Sequence, residues 1–195
     1  MQYDPFLYGM LADNEEVLWS GKPDLKCFVL ESIFNPLLPF AIVWALFDAL
    51  FIILLLHEGK QTPWMALPLV GFFALHLMPV WIYIGGVLFS YLRHKHTSFI
   101  VTDKGVYVSG GIFTQTYKHQ PYEQIASVTI KRGVFDKFLG VGDVKLVLLP
   151  TETDLPYPRR SMRKNMMICD IPDFQSVYKL VQELQQKHTA KTRVQ

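Results

Sequence analysis

Between Ser32 and Leu92 the chain runs for 61 residues with three charges, Asp48, Glu58 and Lys60. A helix on the surface of a soluble domain sets an apolar stripe against a charged face. This block has no residues from which to build the charged face. The other 134 residues carry the remaining 33 of the chain's 36 charged side chains, close to the roughly 25% of an ordinary soluble domain. The sequence is therefore made of two materials, one suited to lipid and one to water. A wholly soluble chain and a disordered one are both excluded.

Within the block, 36–56 is a run of 21 residues, apolar but for Asp48, matching the roughly 20 needed to cross a bilayer core as a helix. A polar linker follows at 57–62. The second apolar run, 63–92, has 30 residues, and its crossing is expected at about Leu67–Phe89, with Trp64 and Tyr91 near the interfaces. Pro68 and Pro79 predict a kink. The two runs form a transmembrane helical hairpin. Lys22 and Lys26 precede it, Arg93 and Lys95 follow it, and the linker holds only Lys60. That bias puts both termini in the cytoplasm of a cell-membrane protein. Residues 1–35 read as an acidic cytoplasmic lead-in without signal-peptide character. In it, Leu25, Phe28, Val29, Ser32 and Ile33 keep helical spacing. That stripe fits an interfacial helix or the first turns of the spanning one.

After His96 the pattern changes to short runs rich in Val, Ile, Thr, Tyr and Phe, separated by turn residues. Strands are expected at 98–102, 106–109, 113–119, 124–131, 144–149 and 166–171. Between Gly133 and Gly140, residues 134–139 read as a helical turn with Phe135, Phe138 and Leu139 on one side. Residues 150–165 have no periodicity and form a loop bearing Arg159, Arg160, Arg163 and Lys164. From Pro172 onward, Phe174, Val177, Tyr178, Val181 and Leu184 make the stripe of a helix that caps the sheet. Residues 188–195 read as a frayed tail, so the β-rich domain covers 97–187. The two cysteines, Cys27 and Cys169, lack metal-type spacing and are expected as free thiols.

Antiparallel strands closed by one amphipathic helix are the layout of a pleckstrin-homology (PH) domain. The ordered features Thr102-Asp103, Gly110-Gly111, Pro121 to Ile125, Gly133 and Leu139-Gly140-Val141-Gly142 resemble the bacterial PH-like, membrane-flanked domain family. Glu16-Val17-Leu18-Trp19-Ser20-Gly21-Lys22-Pro23 is similar to the acidic-Leu-Trp-x-Gly-x-Pro opening found upstream in such proteins. The resemblance implies a PH-like antiparallel β-barrel or sandwich with a C-terminal capping helix, preceded by two spans. It makes Gly110, Gly111, Gly133, Gly140 and Gly142 turn positions of the fold. It does not carry over phosphoinositide binding, because only Lys104 and Lys118 are basic between Ser98 and His119.

Two sets of residues carry candidate chemistry. Asp48 sits mid-span, where an acid costs about 2.5–3.5 kcal/mol, so it calls for a partner or for the neutral, protonated form. His76, near the middle of the second crossing, is that partner. Along ideal helices their depths differ by roughly 6 Å, one turn. The pair is either a structural bond registering the hairpin or self-association, or a proton-linked site. The second set, Arg93, Lys95, Arg159, Arg160, Arg163 and Lys164, offers contacts to an anionic leaflet at about 1 kcal/mol each. The alternative is a solvated loop. Residues 1–31 sum to −4 and 93–195 to +7. No catalytic constellation, metal spacing, cofactor loop or nucleic-acid motif occurs. The expected function is a non-catalytic scaffold at the inner leaflet, with membrane lipids and proteins, or a second copy of itself, as partners. The resemblance suggests envelope or antimicrobial stress as the setting. A small oligomeric transporter using Asp48 and His76 is the competing reading, and a membrane-bound enzyme the third.

Overall fold

The computed structural model describes residues 5–57, 63–149 and 165–194. The chain divides into two compact units. One joins Met1–Phe28 to Leu92–Gln195, and the other is Val29–Tyr91.

In the first unit the strands form two antiparallel sheets. β1 (Val17–Gly21), β2 (Ser98–Thr102), β3 (Gly105–Gly110) and β4 (Thr116–Pro121) make a four-stranded sheet in that order. β5 (Ile125–Lys131), β6 (Gly142–Leu148) and β7 (Asn165–Ile171) make a three-stranded one. A short 3-10 turn, Tyr122–Gln124, carries the chain between them. Its Tyr122 is fully buried and donates to the carbonyl of Thr102 across the corner at 2.6 Å. The core between the sheets holds Phe99, Val101, Val106, Ile125, Val144, Leu146 and Ile168. The C-terminal helix closes it with Phe174, Val177 and Val181, the expected stripe.

The expected strands are all present, with ends shifted by up to three residues. The lead-in differs from expectation. It contributes a strand, so the β-domain does not begin at residue 97. β1 pairs antiparallel with β2 in the register Trp19↔Val101, Ser20↔Ile100 and Gly21↔Phe99. A first helix, Pro5–Gly9 (α1), sets Leu7 against Ile100 and Tyr107 on the outer face of the sheet. This is why every residue of β2 is buried. It is a central strand covered on both faces, and its sequence SFIVT lacks the polar alternation of a half-exposed one. Five residues of β1 with no clear alternation left no strand signal in a single sequence.

The next helix, Leu25–Ile33 (α2), starts where Asp24 accepts the Cys27 amide at 2.9 Å, an N-cap bond. It is separate from the long apolar helix, because Asn35 caps the amide of Leu37 at 2.7 Å. Cys27, outside the expected stripe, is its buried residue, while Leu25 is exposed.

The second unit holds the apolar helices Leu37–His57 (α3), Pro63–His76 (α4) and, running on into the first unit, Met78–Lys95 (α5). α3 is long and apolar enough to cross a membrane, and α4 with α5 qualifies only as a pair bent by 56°. The bend falls at Leu77. Pro68 stays inside α4. Pro79 is the effective breaker: it has no N–H for the preceding turn and disfavours the helical conformation of Met78.

Short helices complete the first unit. Val134–Leu139 (α6) lies between β5 and β6, and Phe174–Val194 (α7) packs on β5, β6 and the 3-10 turn. α7 continues through the region expected to fray. There His188 bonds the carbonyl of Asp103 at 2.9 Å and Glu123 at 3.0 Å, fixing a turn that sequence polarity alone does not predict.

Candidate functional site

In the helical unit, Nδ1 of His76 lies 2.7 Å from Oδ1 of Asp48. The side chain of Asp48 is 2% exposed. Its second oxygen, Oδ2, has no hydrogen-bond partner among the described residues. His76 ends α4, and its imidazole stacks on Trp44 at 5.0 Å and on Phe72 at 5.3 Å. The break at Leu77 orphans backbone carbonyls, and two indoles satisfy them. Trp44 donates to the carbonyl of His76 at 2.7 Å, and Trp81 to that of Ala74 at 3.1 Å. A free carbonyl in an apolar medium costs several kcal/mol. The two tryptophans therefore stabilise the bend, and Trp44 positions His76 at the same time. The sequence pointed to Asp48 and His76. It carried no signal for Trp44, 32 residues from its acceptor.

In the β-unit, Glu15 and several residues of the upstream opening that follows it tie the sheet together. Glu15 accepts from the hydroxyls of Thr102 at 2.5 Å and Tyr107 at 3.0 Å. Burial, then that bond to Glu15, pushes the Tyr107 phenol up to about 12. The Glu16 amide donates to Oδ1 of Asp103, and the Asp103 amide donates back to the Glu16 carbonyl. Trp19 donates to Asp173 at the start of α7, 2.5 Å away. A Cβ on Gly21 would fall 2.5 Å from the Trp19 ring, so only glycine lets the indole lie flat there. The carbonyl of Pro23 bonds His94 at 2.8 Å. The opening is thus the edge of the PH-like sheet rather than a separate motif.

A buried polar cluster lies where α2 meets this unit. Donor atoms of Cys27, Asp136 and Asp170 lie within 4.8 Å of one another. The Cys27 thiol donates to Oδ1 of Asp136 at 3.1 Å, and Oδ2 of Asp136 accepts the Gly133 amide at 2.6 Å. Asp170, at φ 54°, donates its amide to Asp143 at 3.0 Å. Burial raises the Cys27 thiol, and the bond to Asp136 raises it further. A metal ligand must be the thiolate, so this trio fits a hydrogen-bonded anchor between α2, α6 and β7 better than a metal centre. Residues separated by 109 and 143 positions gave no sequence signal. Burial also raises Asp143, and pushes Cys169 up to about 12. Both cysteines are free thiols.

Of the expected lipid contacts, Arg93 and Lys95 lie exposed on the last turns of α5. The Arg93 guanidinium sits 5.0 Å from the centre of the Phe28 ring. Arg159, Arg160, Arg163 and Lys164 lie outside the described residues, as does most of the 57–62 linker. Gly110 ends β3, and Gly111 turns at φ 109°. Gly133 caps the start of α6, and Gly142 opens β6. Gly140 closes α6 at φ 74°, a left-handed terminus that other residues enter at a cost of about 1 kcal/mol.

A family model described as "Bacterial PH domain" matches residues 37–185, which takes in the apolar helices and β2 to β7. No curated protein and no solved structure gives a match.

Proposed function

The chain belongs to the bacterial PH domain family, and on that premise we propose that it is a non-catalytic interaction module held at the cytoplasmic face of the cell membrane by its apolar helices. α3 and the bent α4–α5 pair are the two crossings, with both termini cytoplasmic. Envelope or antimicrobial stress is the setting this reading favours.

One observation supports the membrane reading above the others. Outside the face that carries Ala41 and Asp48, α3 turns its large apolar side chains outward, with Val43 66%, Leu46 64%, Leu50 58% and Ile53 62% exposed. An apolar surface that size is untenable in water and ordinary in lipid. The interaction reading is supported by family membership and by the side chains of the opening motif. Of these, Val17 and Trp19 pack on the two clusters of the sheet, and Trp19 also bonds Asp173 at the start of α7.

The first test is alkaline extraction of native membranes with a protease-cleavable tag after Gln195. The protein is expected in the pellet, with the tag cleaved only in inverted vesicles. Release into the supernatant, or cleavage from the opposite side, would end this reading. Crosslinking in the same membranes then names the partners.

The unpartnered Oδ2 of Asp48 favours one second reading, an oligomeric proton or cation pathway. Flux in reconstituted vesicles that falls when Asp48 becomes Asn would support it. Flux indifferent to Asp48 would remove it.

A further inference from the structure

We propose that the face of α6 carrying Val134 and Phe138 inserts into the headgroup region of an anionic bilayer and seats the β-unit on it. The proposal rests on the membrane reading above.

α6 is inside out. Its one acidic residue, Asp136, is 1% exposed, while Val134 is 80% and Phe138 86% exposed. The sequence reading grouped Phe138 with Phe135 and Leu139. The structure instead half-buries Phe135 and Leu139 and pairs Phe138 with Val134 on the outer face. These two stand four apart, one above the other.

The inversion is fixed by bonds. Asp136 holds the Gly133 amide and the Cys27 thiol. Arg132 donates to the carbonyls of Asp136 at 3.2 Å and Val141 at 2.9 Å. Rotating Phe138 inward would break all four. Single exposed apolar residues need no explanation. A valine and a phenylalanine held outward on a helix whose acid is locked inward do need one, since both forgo the burial that their apolar surface favours.

Three observations select a bilayer as the occupant. First, the charge is complementary. Lys131 and Lys137, both exposed, flank the pair, and residues 93–195 sum to +7. Second, the patch adjoins the residues through which the chain leaves and re-enters this unit. Cys27, bonded to Asp136, immediately precedes Phe28, the last residue of this unit before the chain enters the helical one. Phe113, 89% exposed, sits on the β3–β4 turn, whose Gln115 bonds His96 at 3.0 Å, just after the chain returns. Third, the area is small. The Val134 and Phe138 side chains offer on the order of 300 Å², well short of the roughly 1,200 Å² of a specific protein interface. A small apolar wedge ringed by lysines is sufficient for interfacial seating.

The test uses the full chain in nanodiscs of phosphatidylcholine and phosphatidylglycerol, in a Cys169→Ser background. A polarity-sensitive fluorophore is placed in turn at Val134→Cys, Phe138→Cys, the exposed α7 position Gln175→Cys, and Leu50→Cys on α3. The exposed positions touch no core, so folding is not at stake. The expected result is a blue shift at 134 and 138, with quenching by doxyl-lipid and loss of quenching by iodide, while 175 keeps the opposite pattern. If Leu50 is quenched by doxyl-lipid but 138 is quenched by iodide like 175, the wedge is refuted and the membrane reading stands. If 138 is shielded from both quenchers and its label self-quenches, a second copy covers the face and the wedge is again refuted. If Leu50 is not quenched by doxyl-lipid, the membrane reading itself fails and takes the wedge with it.

Discussion

A chain cut to residues 97–195 is expected not to fold, whereas residues 5–28 joined to 92–195 through a short Gly/Ser linker fold as a soluble, cooperative domain. The first chain lacks β1 and α1. It uncovers β2, a fully buried strand, as a free apolar edge, which is a template for aggregation. It also loses Trp19, which packs on the core and reaches Asp173. Truncating a fully buried tryptophan costs about 3–5 kcal/mol, and the partly buried Trp19 accounts for the lower part of that range. With Leu7 and the Glu15 bonds to Thr102 and Tyr107 also gone, the loss matches the whole stability of a domain, about 5–15 kcal/mol. The joined chain keeps all of these. Phe28 and Arg93 are in contact, so about six flexible residues, spanning roughly 13 Å, suffice. Urea melts followed by tryptophan fluorescence distinguish the two. A cooperative transition in 97–195 would show that β1 is dispensable.

The second large effect is expected at Asp48 and His76, and its sign depends on how many partners are removed. His76→Ala leaves a carboxyl that is 2% exposed with neither oxygen bonded within the described residues. Breaking a buried charged pair from one side costs about 3–5 kcal/mol, far above the roughly 0.6 kcal/mol of an average intramembrane hydrogen bond. Asp48→Asn costs less, because an amide is cheaper to leave unpaired in this setting. Replacing both, Asp48→Leu with His76→Leu, removes the polar burden altogether and should return stability to the starting value or raise it by about 1–4 kcal/mol. Thermal midpoints of the purified protein in detergent give the cycle. Additive losses in the double variant would mean that the two residues do not act as a pair.

The parts of the fold that were legible in the sequence share a property: their signal is local. The apolar run of α3, the Val- and Ile-rich strands and the stripe of α7 each follow from periodicity within a window of ten to twenty residues. The Asp48–His76 bond was readable because an isolated acid in an apolar span demands a partner, and one candidate lay near its depth. What could not be read is non-local. β1 pairs with a strand nearly eighty residues downstream, across the helical unit. Its residues Trp19 and Gly21 make sense only beside Val101, Phe99 and Asp173. The orientation of Phe138 depended on Asp136 finding Cys27, 109 residues away. Pro68 and Pro79 both predict a kink. The structure assigns it to Pro79, where Trp44 and Trp81 stand ready to receive the freed carbonyls.

The central claim is that one PH-type sheet is closed by a strand from before the apolar helices and a strand from after them. Its most direct test is a disulfide across that join in the full-length protein in membranes. Ser20 and Ile100 are opposed in the β1–β2 register, a spacing a disulfide tolerates. Val101, one residue on, points to the other face. A protease site is placed within residues 57–62 in a chain lacking Cys169. After mild oxidation and cleavage, Ser20→Cys with Ile100→Cys should run as a single species of about 22.5 kDa without reductant and as two fragments with it. Ser20→Cys with Val101→Cys should give two fragments in both lanes. Two fragments from the Ile100 pair without reductant would contradict the account.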